Sequence, residues 1–268
     1  MTSTFSDVPS ATGPRLSKNE RWERILSRLN NDVTVRISSL AEQFGVTTET
    51  IRRDIDELTH QGLVIRTYGG AAGRPLTSEP NLVQRRAHNV AERKRIAQLA
   101  ASLIEPGDVL MVDSGSTTYQ FARALAARPT ALTLLTNCLP IAQIVGGISG
   151  FRVLICPGIY KETENAVYGQ ETTAFLDRFH ANKAIIGAGG ITEQSVTDAD
   201  ADAGWIKRKM IEKSGRAILL LDHGKFGSNL FDSVCPLRDI DDLVLDRKPA
   251  ESLRRSLQSA SVQVHVAA

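Results

Sequence analysis

The sequence predicts an α/β chain in two units: a small, mainly helical unit first, then a larger one in which short strands and helices alternate. Three observations carry this. Apolar residues between 19 and 58 recur at three- and four-residue spacing around one tight turn. Between 109 and 266, short runs rich in Val, Ile and Leu alternate with helical patterns, as in a mostly parallel sheet covered on both faces. Residues 73–82, GRPLTSEPNL, combine Gly, two Pro and polar side chains as a linker does.

Taken in order, residues 1–17 are Ser-, Thr-, Pro- and Gly-rich without periodicity and read as a disordered tail. From Asn19, the spacing of Trp22, Ile25, Leu26 and Leu29 predicts a helix that ends at Asn30-Asn31-Asp32. Val33 to Ile37 alternates like a short strand, and Ser38 or Ser39 caps a second helix carrying Leu40, Ala41 and Phe44. Gly45 stops that helix as a left-handed cap, and Thr47 caps a third helix running to about Leu58. Leu63 to Tyr68 followed by Gly69-Gly70 reads as a strand entering a tight turn, the wing that follows a recognition helix. Residues 18–72 thus form a winged helix-turn-helix unit, with the helix-turn-helix at about 35–54.

The linker leads into one basic helix, with Arg85, Arg86, Arg93, Lys94 and Arg95 ahead of apolar Ile96, Leu99, Ala100, Leu103 and Ile104, so residues 73–95 form a connecting segment. Residues 96–268 make the second unit. Its strand candidates are 109–113, 132–136, 152–156, 184–187, 217–222, 242–245 and 262–266, and its helical patterns fall near 119–127, 139–146, 171–179, 203–213 and 250–259.

The net charge of +2 is an average. Residues 1–95 carry 15 basic and 11 acidic side chains and the remainder 17 and 19, so a modestly positive head precedes a slightly acidic second unit. Cys138, Cys156 and Cys235 are too few and too scattered for a disulfide framework or a zinc site. No long apolar run or signal-peptide start is present, and the expected location is the cytoplasm, with no membrane partner.

Two constellations carry chemistry. A helix in the major groove needs polar or basic side chains outward and an apolar face inward. The third helix meets this with Ile51, Ile55 and Leu58 on one stripe and Thr48, Thr50, Arg52 and Arg53 for bases and phosphates. Ser39 and Thr47 at the helix starts and Arg66 and Tyr68 on the wing complete the DNA-facing set. A helical subdomain serving only protein contacts is the alternative. The second constellation follows the strand 109–113: Asp113, Ser114, Gly115, Ser116, Thr117 and Thr118 stand at a strand-to-helix junction, where backbone N–H groups and the helix dipole favour an anion. Thr136 and Asn137, Gly158, Gly187 to Gly190 and Lys225 end neighbouring strands; Asp113 and Asn137 suit sugar hydroxyls, and Lys225 suits a phosphate. No dinucleotide fingerprint, Walker A loop, G-x-S-x-G elbow or H-E-x-x-H pattern occurs, so no cofactor and no metal are expected. The stretch TDADADAG, with Asp198, Asp200 and Asp202, reads as a solvated loop or helix start.

These residues resemble the DeoR family of bacterial transcription regulators. The resemblance runs through Leu40-Ala41-Glu42, Phe44-Gly45-Val46-Thr47, Thr50-Ile51-Arg52-Arg53-Asp54 and Arg66-Thr67-Tyr68-Gly69-Gly70-Ala71. It continues in Arg86, Asn89, Lys94, Asp113 to Thr118, Thr136-Asn137, Lys183-Ala184, Asp222 and Lys225-Phe226-Gly227. It implies a sensor domain of the ribose-phosphate isomerase and CoA transferase fold, oligomers that bind operator DNA, and a repressor of a carbohydrate catabolic operon released by a phosphorylated sugar. Ser114 to Thr118 and Lys225 would meet the phosphate, while Asp113, Asn137 and Gly158 would line the sugar. Cys156-Pro157-Gly158 departs from the consecutive glycines common in the family. A sugar-phosphate isomerase with an added nucleic-acid-binding head is the rival from another class. The helix at 85–95 is the candidate coupling element.

Overall fold

In a computed structural model of the chain, residues 16–60, 63–73, 75–128 and 131–267 are described. The expected disordered tail lies outside them up to residue 15. Leu16 and Ser17 belong to the head instead: Leu16 packs on its core and Ser17 caps the first helix in a capping box with Glu20.

The head comprises α1 (Lys18–Asn31), β1 (Thr34–Arg36), α2 (Ile37–Phe44), α3 (Thr48–His60), β2 (Val64–Thr67) and β3 (Gly70–Gly73). Trp22, Ile25, Leu40, Phe44, Ile51, Ile55 and Leu58 form one buried cluster, so the helical stripes read from the sequence face each other. Gly45 adopts φ 62° and turns α2 into α3. The strands form an antiparallel sheet of order β1-β3-β2. Gly70 is required by this pairing, because a Cβ there would lie 2.0 Å from the Val35 carbonyl oxygen. Ser38 and Ser39 do not cap α2, which begins at Ile37 after an extended Arg36 with no side-chain cap; β1 runs directly into the helix, and both serines sit in its first turn.

The basic segment is two helices rather than one. Helices α4 (Leu82–Ala87) and α5 (Val90–Ser102) are separated at Asn89, whose φ of 48° is left-handed. Asn81 and Gln84 form a capping box for α4, and the Asn89 side chain bonds Asp222 instead of the helix, which accounts for the break.

The second unit follows with β4 (Val109–Val112), α6 (Ser116–Ala126), β5 (Leu132–Thr136), α7 (Leu139–Val145) and β6 (Phe151–Ile155). Next come β7 (Ile159–Lys161), β8 (Ala166–Tyr168), α8 (Gln170–Leu176), β9 (Lys183–Ile186), β10 (Gly190–Ile191) and β11 (Ser195–Asp198). The chain continues with α9 (Ala201–Glu212), β12 (Ala217–Leu221), β13 (Asp232–Pro236), β14 (Asp242–Leu245), α10 (Glu251–Ser259) and β15 (Gln263–Val266).

Seven strands form one parallel sheet of order β15-β14-β12-β9-β4-β5-β6. The alternation of strand side chains divides the core: Leu110 and Val112 face α5, α6 and α7, while Met111 faces α8, α9 and α10. From β4 the chain progresses through β5 to one edge, then returns through β9 to the other, so the order reverses between β4 and β9. That boundary is a topological switch point, where open α/β sheets leave a crevice at the carboxyl ends of their strands. The hairpin β7-β8 and the antiparallel sheet β10-β11-β13 are additions that the alternation pattern did not reveal.

Candidate functional site

The outer face of the head carries the first set of predicted residues. The Thr47 hydroxyl accepts from the Thr50 N–H at 3.2 Å and caps α3. On α3, Ile51 and Asp54 turn inward, while Thr48, Arg52 and Arg53 are exposed and Thr50 is half-buried. Asp54 accepts from the Trp22 indole at 3.0 Å and from Arg21 at 2.7 and 2.9 Å, which fixes the rotation of α3 against α1. Arg52 and Arg53 both donate to Glu49, at 2.7 and 3.3 Å, and hold its carboxyl below its ordinary pKa. On the wing, Tyr68 is fully exposed and Arg66 pairs with Asp56 at 3.2 Å. Ser39 is exposed on α2.

Of the second set, Ser114 to Thr117 and Lys225 line one cavity at the switch point, whereas Asp113, Thr118, Thr136, Asn137 and Gly158 are not among its lining residues. Asp113 follows β4; its Oδ2 accepts from Lys207 Nζ at 3.0 Å and from the Gly187 N–H at 3.4 Å, and its Oδ1 has no hydrogen-bond partner. Burial pushes the Asp113 carboxyl up against the pull of the Lys207 ammonium. Lys207 also meets Asp198 at 3.2 Å, and these two carboxylates keep the buried ammonium charged. Asp198 is therefore buried in an ion pair rather than in a solvated loop, whereas Asp200 does cap the start of α9. Helix α6 begins at Ser116, so Ser116, Thr117 and Thr118 supply its first N–H groups. The Ser114 hydroxyl meets the Tyr168 hydroxyl at 2.8 Å, and Thr118 donates to the Gly115 carbonyl at 3.2 Å.

Thr136 is occupied within the fold: its hydroxyl donates to the Val112 carbonyl and accepts from the Cys138 N–H. Asn137 donates to the Val167 carbonyl, and its buried Oδ1 has no hydrogen-bond partner. Gly158 stands apart from the cavity lined by Ser114 to Thr117. Its φ is +149°, and a Cβ would lie 2.2 Å from the Thr172 hydroxyl, so glycine there serves packing.

Lys225 does line that cavity, and so do residues that sequence reasoning left out. Glu79 from the linker bonds both Lys225 and, at 2.6 Å, Arg85 of α4; Arg85 also bonds Glu164. The two cations hold the Glu79 carboxyl down at about 2 although burial opposes this. Arg86 stacks its guanidinium 3.8 Å from the Tyr119 ring and leaves Nε and Nη2 buried without hydrogen-bond partners. Lys207 had a legible signal: it shares the buried stripe of α9 with Ala203, Ile206 and Met210, an improbable position for an unpaired lysine. Glu79 had none, because a Glu beside Pro in a polar linker looks like solvent-facing chain.

The head and the second unit are in contact. Trp22 stacks on His223 with ring centroids 6.1 Å apart, and His223 pairs with Asp246 at 2.7 Å. Asn19 accepts from Arg247 at 3.1 Å, and Glu23 accepts from the Ala250 N–H at 3.1 Å. His60, at the end of α3, meets His88 edge-on at 5.2 Å. Asp222 accepts from Arg93 at 2.8 Å, from Asn89 at 2.9 Å and from the Gly224 N–H at 3.1 Å, so it ties the turn holding Lys225 to α5. Burial opposes the Asp222 charge, yet Arg93 and then Lys225 keep its carboxyl below its ordinary pKa.

A winged helix-turn-helix head on a parallel-sheet unit with a polar crevice defines a DNA-binding regulator with a sensing domain. A family model described as "DeoR-like helix-turn-helix domain" matches residues 21–73, and one described as "DeoR C terminal sensor domain" matches residues 88–247. The chain belongs to the DeoR family of transcriptional regulators. It is 32% identical to the HTH-type transcriptional repressor GlcR of Bacillus subtilis over 93% of this chain and 96% of that one. It is 28% identical to the lactose phosphotransferase system repressor of Staphylococcus aureus over 89% and 96%. Among solved structures it is similar to eIF2B delta from Chaetomium thermophilum, with TM-score 0.46 and 14% identity over 85% of this chain and 72% of that one. It is also similar to ribose 5-phosphate isomerase A from Methanocaldococcus jannaschii, with TM-score 0.40 and 16% identity over 53% and 56%.

Proposed function

We propose that this regulator represses a carbohydrate operon and leaves operator DNA when a phosphorylated sugar binds the crevice between β4 and β9. The observation that carries the reading is the conjunction at neighbouring strand ends. The α6 N-terminus after β4, Lys225 after β12 and Arg85 of α4 line one cavity and offer an anion N–H groups and cations, while the Oδ1 atoms of Asp113 after β4 and Asn137 after β5, buried and not part of that lining, have no hydrogen-bond partner. The names of GlcR and the lactose phosphotransferase system repressor support the carbohydrate connection. In this reading Arg52, Arg53, Thr48 and Thr50 meet the major groove, Ser39 and Thr47 assist at the helix starts, and Arg66 and Tyr68 of the wing meet the adjacent backbone.

For ligand to release DNA, it must bind the DNA-free arrangement of the heads more tightly than the DNA-bound one, since equal affinity shifts nothing. A physical connection exists for this coupling. The turn carrying Lys225 begins at His223, His223 stacks on Trp22, and Trp22 bonds Asp54 of the recognition helix. We place the protein in the cytoplasm as a homo-oligomer, matching a two-fold operator; among the described residues no helix is long and apolar enough to cross a membrane.

A thermal-shift screen against a panel of sugar phosphates tests the reading, because a ligand that binds the native state raises its apparent stability. One or more members should raise Tm, and Ser116→Asp should cancel the rise by setting a carboxylate against the phosphate. An unchanged rise in that variant removes the assignment of the cradle. We also take the protein to bind its ligand without turnover, and incubation with aldose and ketose phosphates checks this: interconversion would make it an enzyme.

A further inference from the structure

We propose that Glu79 is a built-in competitor of the effector anion: its carboxylate occupies the cationic pocket formed by Lys225 and Arg85, and an incoming phosphate takes those cations and expels the linker. The inference rests on the reading of the crevice as the effector site and adds how occupancy is reported to the head.

The first argument is where Glu79 lies. It belongs to a polar linker that the sequence gives no reason to bury, yet its side chain is only 14% exposed and its partner Lys225 is 146 residues further along the chain. A second argument is chemical. Carboxylate and phosphate oxygens both accept charge-assisted bonds from ammonium and guanidinium groups, and a phosphate brings the larger charge and an additional oxygen for the N–H groups of α6. Third is space. The cavity that Glu79 shares with Ser116, Thr117 and Lys207 measures about 30 Å³, whereas small-ligand sites span roughly 300–1,000 Å³. With Glu79 in place little room is left beside Lys225 and Arg85, so a phosphate bound by these two cations takes the position of the carboxylate.

Departure of that carboxylate has a consequence because the linker is stiff and anchored. Pro75 and Pro80 bracket it, and its second anchor is the Leu76 carbonyl, which accepts from the Phe231 N–H at 3.1 Å. Asn81, two residues after Glu79, caps α4 at its start, and His88, the C-cap of α4, meets His60 of the recognition helix. Upstream the same linker continues from β3 of the wing. Expelling Glu79 therefore removes one of the linker's two anchors on the sensor, beside the wing, and loosens the segment that leads through α4 to the His88 contact with α3. In the ligand-free state Glu79 on Lys225 and Arg85, with Glu164 also on Arg85, balances the two cations, so an anion must compete with a carboxylate already in place.

The test uses the full-length protein and inorganic phosphate as probe, with calorimetric titration at neutral pH and hydrogen exchange of the two hydrogen-bonded linker amides, Ser78, which donates to the Pro75 carbonyl, and Asn81, which donates to the Gln84 side chain. Glu79→Gln keeps the side-chain shape and should bind phosphate about tenfold more tightly or better. In the wild type, saturating phosphate should accelerate exchange of the linker amides; in Glu79→Gln they should exchange fast at the outset and change no further. Lys225→Ala should lose phosphate affinity in either background. If Lys225→Ala loses binding but Glu79→Gln binds no more tightly, or wild-type linker amides stay as protected with phosphate as without, the competitor role is overturned while the site stands. If Lys225→Ala binds phosphate as the wild type does, the site itself is misassigned. The wild-type exchange arm decides the matter even if Glu79→Gln folds poorly.

Discussion

Both cationic surfaces of this regulator are covered by a carboxylate of its own chain, and they differ in burial. On the recognition helix Glu49 bridges Arg52 and Arg53, whose side chains are 52% and 80% exposed; in the crevice Glu79 bridges Lys225 and Arg85, each 13% exposed. An exposed ion pair is solvated and screened, so in the proposed DNA complex phosphates would displace Glu49 at small cost and no backbone need move. A buried pair is held strongly, and removing one partner leaves the other desolvated and unpaired. The same chemistry is thus a reversible surface neutralisation in the head and a latch in the sensor.

The strongest challenge to this contrast is Arg93→Ala, which leaves Asp222 buried without its principal counter-charge. It should destabilise the protein by about 3–5 kcal/mol, read as a lower midpoint in urea unfolding, whereas exposed pairs should show no such cost. A midpoint near wild type would mean that burial does not separate the two kinds of pair. Next, Arg52→Ala/Arg53→Ala should weaken operator binding by about tenfold or more, reduce the slope of log affinity against log salt by about two, and leave Tm unchanged. Loss of Tm instead would make the arginines structural.

A smaller effect comes from Glu23, which is half-buried between head and sensor. Burial first, then the nearby Glu193 and Glu20 carboxylates, raise its pKa from 4.5 to about 7, opposed by the Ala250 N–H. Because the docked state raises the pKa of an acid, the docked state holds the extra proton. Its contribution to stability is fully present below about pH 4.5 and is lost as pH rises through about 7. Glu23→Gln should remove this dependence; with its partial exposure discounted the effect is on the order of 1 kcal/mol, or about 2–4 °C of Tm between pH 5 and 8. Parallel Tm profiles of variant and wild type would contradict it. Smallest of all, Glu49→Gln should raise affinity for nonspecific DNA about threefold or less, and equally for any sequence.

Much of the fold was legible because its signals are local. The stripe of Ile51, Ile55 and Leu58, the left-handed Gly45 and the alternation of Leu110, Met111 and Val112 each express one period or one backbone conformation. The break at Asn89 was not, since it is made by a bond to Asp222, more than a hundred residues away. Nor was the three-stranded sheet containing β10, a strand of only two residues. The same division holds in the site. Ser114 to Thr117 form one contiguous junction and, like Lys225 on its loop, line the cavity as local signals suggest; Glu79, Arg85, Glu164 and Lys207 meet only through tertiary contacts. Buried charge at long range leaves little trace in a sequence except where it interrupts an apolar stripe, as Lys207 does.

The central claim is that occupancy of the crevice controls the hold on DNA. Fluorescence anisotropy of a labelled operator fragment, titrated with the sugar phosphate that gives the largest thermal shift, tests it directly in the wild type and in Ser116→Asp, which blocks the cradle and leaves the Glu79–Lys225 pair in place. The account predicts release of DNA from the wild type and none from Ser116→Asp at the same ligand concentration, with both proteins binding the fragment equally well in its absence. Release from both at the same concentration would contradict it.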